Sequence, residues 1–304
     1  MKDIYKKQVS LLLKVLPDVA NEKRLALHGG TAINLFHQNM PRLSVDIDLT
    51  YIPFSNVREN DLQDIRSILA GIKTRLLKTK QDIQFDDQGR ADEELKLLCR
   101  YSGATIKIEV NQINRGIIGE PVMMMLCENA QLMFDVFCEI QTVPESQLWG
   151  GKIIAALDRQ HPRDLFDIRY LLNTKGYTDE IHTGFLFSLL GSKRPFHEIL
   201  NPSRVDQSVV FASQFSGMTN QPFLYEEFES VRENLIRTVK EKLTLPEKEF
   251  LMSYAKGEPV WNNFNYSMFP GIKWKLFNID VFKKNQKAKF FEHLILLEEI
   301  LFSG

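Results

Sequence analysis

The chain has little of what marks several large protein classes. Of its 304 residues only three are cysteines, Cys99, Cys127 and Cys138. None forms a Cys-x-x-Cys pair, and so sparse a set excludes a disulfide framework and points to reduced thiols in a cytoplasmic setting. The six histidines include no His-x-His or His-x-x-x-His spacing, which argues against a zinc site. No apolar run approaches the roughly 20 residues needed to cross a bilayer. The opening Met1-Lys2-Asp3-Ile4-Tyr5-Lys6-Lys7 lacks the apolar stretch of a signal peptide. A net charge of −1 excludes polycationic character, so any contact with nucleic acid must come from a local basic patch. What remains is an ordinary globular composition, 44% hydrophobic and 25% charged, in a chain long enough for one large domain or two modest ones.

Periodicity separates two regions. Residues 5–20 carry Leu12, Leu16 and Val19 on one helical face. Residues 24–28 read as a short strand that Gly29-Gly30 breaks, and residues 31–38 read as a helix with Thr31 as its cap. Residues 43–51 alternate as a strand, with Ser44, Asp46, Asp48 and Thr50 on one face and Val45, Ile47, Leu49 and Tyr51 on the other. Residues 58–80 are expected to be helical, and residues 81–103 a hairpin with Asp86-Asp87-Gln88-Gly89 as turn chemistry. Residues 105–110 alternate again, with Thr105, Lys107 and Glu109 on the polar face; residues 131–140 read as one more strand. Thr142-Val143-Pro144-Glu145 has the spacing of a capping box and opens a mainly helical second half. Pro162 starts a further helix, and residues 223–243 and 290–302 are amphipathic helices; residues 175–225 give no clear pattern. The expected fold class is α+β: a mixed-sheet domain over residues 1–142, then a mainly helical domain over residues 143–304 that completes a cleft.

Asp46 and Asp48 carry the first chemistry. Carboxylates at i and i+2 of a strand project from one face with α-carbons roughly 7 Å apart. That suits shared coordination of Mg²⁺, a hard cation that takes oxygen ligands from one or two carboxylates, phosphate and water. A third carboxylate from a neighbouring strand, for which Glu109 has the right polarity, would allow a two-metal arrangement for phosphoryl transfer. By itself Asp-x-Asp reads first as a solvated strand face. A Gly-Gly turn opening into a helix adds free backbone N–H groups that favour an anion such as a triphosphate.

Gly29-Gly30-Thr31-Ala32-Ile33-Asn34-Leu35-Phe36 followed by Pro41-Arg42-Leu43-Ser44-Val45-Asp46-Ile47-Asp48-Leu49 resembles the first motif of the AbiEii/AbiGii nucleotidyltransferase toxins, within the DNA polymerase β-like nucleotidyltransferase superfamily. The resemblance implies that Gly29, Gly30 and Thr31 face nucleotide phosphates, that Asp46 and Asp48 hold Mg²⁺ (or Mn²⁺), and that Glu109 is the third acidic ligand. His28 departs from it, because close relatives usually carry Lys there and imidazole is a weaker, pH-dependent cation.

Lys152-Ile153-Ile154-Ala155-Ala156-Leu157-Asp158-Arg159 and Pro162-Arg163-Asp164-Leu165-Phe166-Asp167-Ile168 resemble a second motif of the same family. Without the family, Arg163 and Asp167 at i,i+4 read as a structural ion pair. With it, Lys152 and Asp167 become catalytic candidates, Lys152 on the phosphates and Asp167 as its orienter, a nucleotide contact or a base; Arg163 and Asp164 become nucleotide-binding candidates. Residues 243–251 and 270–279 resemble the family's closing segment. There Lys273, Lys275, Lys283, Lys284, Lys287 and Lys289 interleave with Trp274, Phe277 and Phe282, a pattern suited either to an RNA backbone with aromatic stacking or to a solvated face over a small core.

The resemblance implies transfer of a nucleoside monophosphate from an NTP to an acceptor, foremost the tRNA 3′ end, by the toxin of a toxin–antitoxin or phage-defence pair with a cognate antitoxin. Two other readings stay open: transfer to a protein hydroxyl, and a nucleotide- or partner-binding module without turnover. Asp46→Ala, Asp48→Ala and Lys152→Ala are each expected to abolish toxicity with the fold largely intact.

Overall fold

A computed structural model describes residues 1–86, 95–262 and 264–303. The chain forms two compact units, Met1–Leu148 with Phe215–Pro222, and Trp149–Gln214 with Phe223–Gly304.

The first unit holds α1 (Asp3–Ala20), β1 (Leu25–His28), the short α2 (Gly29–Ala32) continued by a π-helical turn (Ile33–His37), and β2 (Ile47–Tyr51). There follow α3 (Arg58–Thr79), β3 (Gln84–Phe85), β4 (Lys96–Tyr101), β5 (Ala104–Val110), β6 (Val122–Met125), α4 (Glu128–Phe134) and β7 (Glu139–Thr142). Among the described residues seven strands form one mixed sheet in the order β3-β4-β5-β2-β1-β7-β6. The central β2 runs antiparallel to β1 and parallel to β5. The alternation in the sequence is realised as two faces: Ile47, Leu49, Tyr51, Ile106, Ile108 and Val110 are buried, whereas Asp46, Asp48, Lys107 and Glu109 are half-buried. Helix α1, with Leu12, Leu16 and Val19 buried, packs on β5 and β7 and against α3. Residues 215–222 return to this unit from far along the chain; the Leu43 N–H donates to the Met218 carbonyl, and the Thr219 hydroxyl to the Pro41 carbonyl.

The second unit is helical. Helix α5 (Glu145–Arg159) carries the chain into it, followed by α6 (Pro162–Thr174), α7 (Asp179–Leu190), α8 (Phe196–Leu200) and the short α9 (Ser208–Val210), which a π-helical turn (Phe211–Phe215) prolongs. Helices α10 (Tyr225–Lys242), α11 (Leu245–Ala255), α12 (Pro270–Asn285) and α13 (Lys287–Phe302) complete it. Trp149, Phe166, Phe185, Phe228 and Tyr254 are fully buried in its core. Gly150 and Gly184 let α5 and α7 touch: a Cβ on Gly150 would stand 2.1 Å from the Gly184 carbonyl carbon.

Several local expectations change. Within residues 131–140, the first part is the end of helix α4 and only the last two residues belong to β7. Helix α4 buries Ala130 alone and leaves Leu132 and Met133 exposed, so its apolar residues do not trace a buried stripe; Asp135, at φ 50°, ends it in the left-handed region. Thr142 closes β7 rather than capping α5; its hydroxyl lies 3.3 Å from the Val122 carbonyl and 2.9 Å from His37 Nε2. A capping box does occur, at Thr244 and Glu247 of α11. Regular β2 starts at Ile47, four residues later than alternation suggested; ahead of it Pro41 and Leu43 bond to the returning segment and the Asp46 carbonyl to Thr31. The hairpin between β3 and β4 is present; of its expected turn, Asp87, Gln88 and Gly89 lie outside the described residues.

Candidate active site

Three strands bring three side chains into one row. His28, the last residue of β1, is the cross-strand partner of Asp48 on β2, and Asp48 is the partner of Glu109 on β5. Directly paired residues project from the same face of a sheet. The polar row is therefore His28–Asp48–Glu109, with Asp46 just ahead of β2. His28 also caps α2 by its backbone position, without a side-chain hydrogen bond to the helix.

The glycine pair gives this row its shape. Gly29 has φ +70°, and a Cβ there would stand 2.6 Å from Asp48 Oδ2. A Cβ on Gly30 would lie 2.9 Å from Ser44 Oγ and 3.0 Å from Arg42 Nη2. The turn thus needs glycine for both conformation and space. Gly29→Ala is expected to cost about 1–3 kcal/mol, measured by urea unfolding, because a left-handed Ala is strained. It should also lower nucleotidyl transfer about a hundredfold by displacing Asp48, since misplacement by an ångström suffices for that. Wild-type transfer by this variant would remove the case for a tight turn against the carboxylate.

Thr31 is the third residue of α2, not its cap. It is buried, and its hydroxyl donates to the Asp46 carbonyl at 2.5 Å, with Ser44 Oγ 3.1 Å away. It fastens the start of the helix to the segment carrying Asp46. Arg42 is buried as well and donates to the Leu43 carbonyl at 2.9 Å.

Lys107 adds the positive charge. Its ammonium donates to Glu109 Oε2 at 2.5 Å. Burial works against its charge, but the Glu109 hydrogen bond and the negative charges of Glu109, Asp48 and Asp46 outweigh that and hold its pKa above the ordinary lysine value. One cation therefore feels all three carboxylates. Among the described residues no three His, Cys, Asp or Glu groups close into a ready-made metal cage. The donor set nevertheless fits Mg²⁺ chemically: hard oxygen ligands, half-exposed, with an internal ammonium already drawn to their combined charge.

In the second unit Lys152, on α5, is 6% exposed and its ammonium lies 2.8 Å from Asp164 Oδ1 and 2.9 Å from Asp167 Oδ2, both on α6. Arg159 Nε donates to Asp164 Oδ2 at 2.6 Å, so Lys152 and Arg159, both on α5, converge on one carboxylate. Burial alone would push the Asp164 pKa up; Lys152 and Arg159 outweigh it and hold the carboxyl well below the usual range. Pro162 opens α6 and the His161 ring caps it, Nδ1 accepting from the Arg163 N–H at 3.1 Å.

The C-terminal lysines do not form one continuous face. Lys275 is buried, Lys283 pairs with Glu258 at 3.0 Å and Lys284 with Asp280 at 2.6 Å. Sequence reasoning gave no role to Lys107, although its place two residues from Glu109 on the polar face was the available signal. Arg42 and Ser44 stood in the quoted motif, and their closeness to Gly30 needed the fold.

A solved structure of MenT4, a nucleotidyltransferase toxin from Mycobacterium tuberculosis H37Rv, superimposes with a TM-score of 0.60 at 13% identity, covering 97% of this chain and 93% of that one. The fold is thus that of a nucleotidyltransferase toxin. Residues 10–271 match the AbiEii nucleotidyl transferase toxin family of type IV toxin–antitoxin systems, and the chain belongs to that family. No curated protein matches the chain. The protein is a nucleotidyltransferase, and its family implies an NTP substrate and an antitoxin partner. No helix among the described residues is long and apolar enough to cross a membrane.

Proposed function

We propose that the enzyme moves a nucleoside monophosphate from an NTP to the 3′ end of tRNA, and that this activity serves phage defence. The observation that carries the catalytic part is the row His28–Asp48–Glu109 beside the Gly29 turn. Asp46, Asp48 and Glu109 would hold Mg²⁺ or Mn²⁺, which supplies charge neutralisation on the triphosphate and the transferring phosphoryl group. The backbone N–H groups at Gly29 and Gly30 would donate to phosphate oxygens, with Thr31 keeping the turn in place. Lys152 would offset charge developing on the phosphates. Asp167, fully buried against its ammonium, would position it rather than act as a base, and Asp164 would share that task with Arg159. Arg163, at the start of α6, would contact the nucleotide. In the transfer the acceptor hydroxyl oxygen bonds to the α-phosphorus and loses its proton, while the bond from that phosphorus to the bridging oxygen breaks and releases pyrophosphate.

The acceptor is tested by incubation with each α-labelled NTP and either total tRNA or an RNA-depleted lysate. The expected result is label in tRNA, confined to one nucleotide type and located at the 3′ end by sequencing. Label in protein bands with none in RNA would replace tRNA with a protein hydroxyl as acceptor.

A further inference from the structure

Helices α8, α11, α12 and α13 of the second unit line a cavity of about 300 Å³, the lower end of the range for small-molecule sites. Its walls are mostly apolar, with Phe196, Trp274, Phe282, Phe290 and Leu297 prominent. Among the described residues its ionisable lining consists of Lys193, Arg194, Lys275, His197 and His293, with no acidic residue. Arg194 is engaged with Asp158 and Glu198. Lys275 is not compensated in that way: among the described residues its ammonium donates to two neutral acceptors, Ser192 Oγ at 2.9 Å and the Arg194 carbonyl at 2.5 Å, and lies 4.4 Å from the centre of the Phe196 ring. Its side chain is nevertheless buried. A buried cation without a counter-ion is unfavourable; here burial pushes its pKa down to about 7 against the opposing influence of Glu198.

We infer that this cavity binds a small organic acid, one carboxylate on a flat or branched apolar body, whose charge faces Lys275 and whose body lies among the aromatic rings. Both halves of the ligand follow from the walls: the buried amine of Lys275, whose two acceptors among the described residues are both neutral, selects the acid, and the apolar surface selects the body. A nucleobase suits the cavity less, because it brings no negative charge to face Lys275. The site is separate from the residues assigned to nucleotidyl transfer, so its test requires no turnover.

Isothermal titration of the full chain with naphthoate and with its uncharged analogue naphthamide, without NTP, decides it. Naphthoate is expected to bind with one-to-one stoichiometry and at least about tenfold more tightly than naphthamide, a difference of about 1.4 kcal/mol. Lys275→Met should erase that preference. Ala255→Phe, at a half-exposed wall position, should fill the space and abolish binding of both compounds while the melting temperature stays near wild type, which keeps the test valid should Lys275→Met fold poorly. Equal affinity for the two compounds, or no binding of naphthoate at millimolar concentration, would overturn the inference. Single-stranded RNA that binds the wild type and is lost in Ala255→Phe would assign the cavity to RNA and overturn it equally.

Discussion

Asp48→Asn is expected to lower nucleotidyl transfer by about two to three orders of magnitude, the scale of removing one preorganised electrostatic group at a phosphoryl or acyl centre. The amide keeps the shape that packs against Gly29, where the carboxylate Oδ2 lies 2.6 Å from the place a Cβ would take. The substitution therefore removes charge and leaves geometry. Three carboxylates act on Lys107, and with Asp48 neutral the hydrogen bond from Lys107 to Glu109 still holds that ammonium. Stability should consequently change by no more than about 1 kcal/mol, the usual range for a half-exposed polar substitution. Transfer of labelled nucleotide, run beside a thermal melt and a Mg²⁺ titration, separates the two effects. Asp46→Asn and Glu109→Gln should lie in the same activity range with a shifted Mg²⁺ dependence. Wild-type transfer by Asp48→Asn would remove the carboxylate row from the mechanism.

That row shows how far the sequence could be read. Alternation placed Asp46, Asp48 and Glu109 on polar strand faces because period two is a property of the backbone alone. It could not supply register: that His28 faces Asp48 and Asp48 faces Glu109 depends on how β1, β2 and β5 pair across 80 residues of chain. Lys107 carried a visible signal, but its significance depends on the same pairing. Helix α4 was misread because Leu132 and Met133 point to solvent, so apolar residues there do not report burial. Residues 215–222 were illegible for a different cause: they join the first unit largely through backbone hydrogen bonds at Gly217 and Met218, which leave no residue-type signature, with the Thr219 hydroxyl adding one to Pro41. The cluster Lys273 to Lys289 read as one face because composition does not reveal that Lys275 turns inward.

Lys152→Met separates the second constellation from the first, since it should cost fold stability as well as activity. The expectation of an intact fold is kept for Asp46 and Asp48, which are half-exposed. It is replaced for Lys152, whose ammonium lies between Asp164 and Asp167, 2% and 0% exposed. Breaking a buried pair by removing one partner costs about 3–5 kcal/mol, because the charge left behind stays desolvated. Arg159 still reaches Asp164 from an exposed position, whereas Asp167 loses the ammonium that lies 2.9 Å from its Oδ2. The pH dependence follows from the same charges. In the wild type the Asp164 pKa is held well below its ordinary value, so its contribution is fully present above the unfolded carboxylate pKa of about 3.9 and lost only as pH falls through the folded value. In Lys152→Met the balance reverses, since two buried carboxyls sharing one site favour a proton. The folded variant then takes up protons more readily than its unfolded chain, and its deficit should be largest at neutral pH and narrow as pH falls toward about 4. Urea unfolding of both proteins at pH 7.5 and pH 5 measures this directly, and Asp167→Asn in the Lys152→Met background should recover much of the loss. Transfer assayed well below the variant's melting midpoint then isolates the catalytic effect. Equal stability of wild type and Lys152→Met at neutral pH would show that the three groups do not act as one buried network.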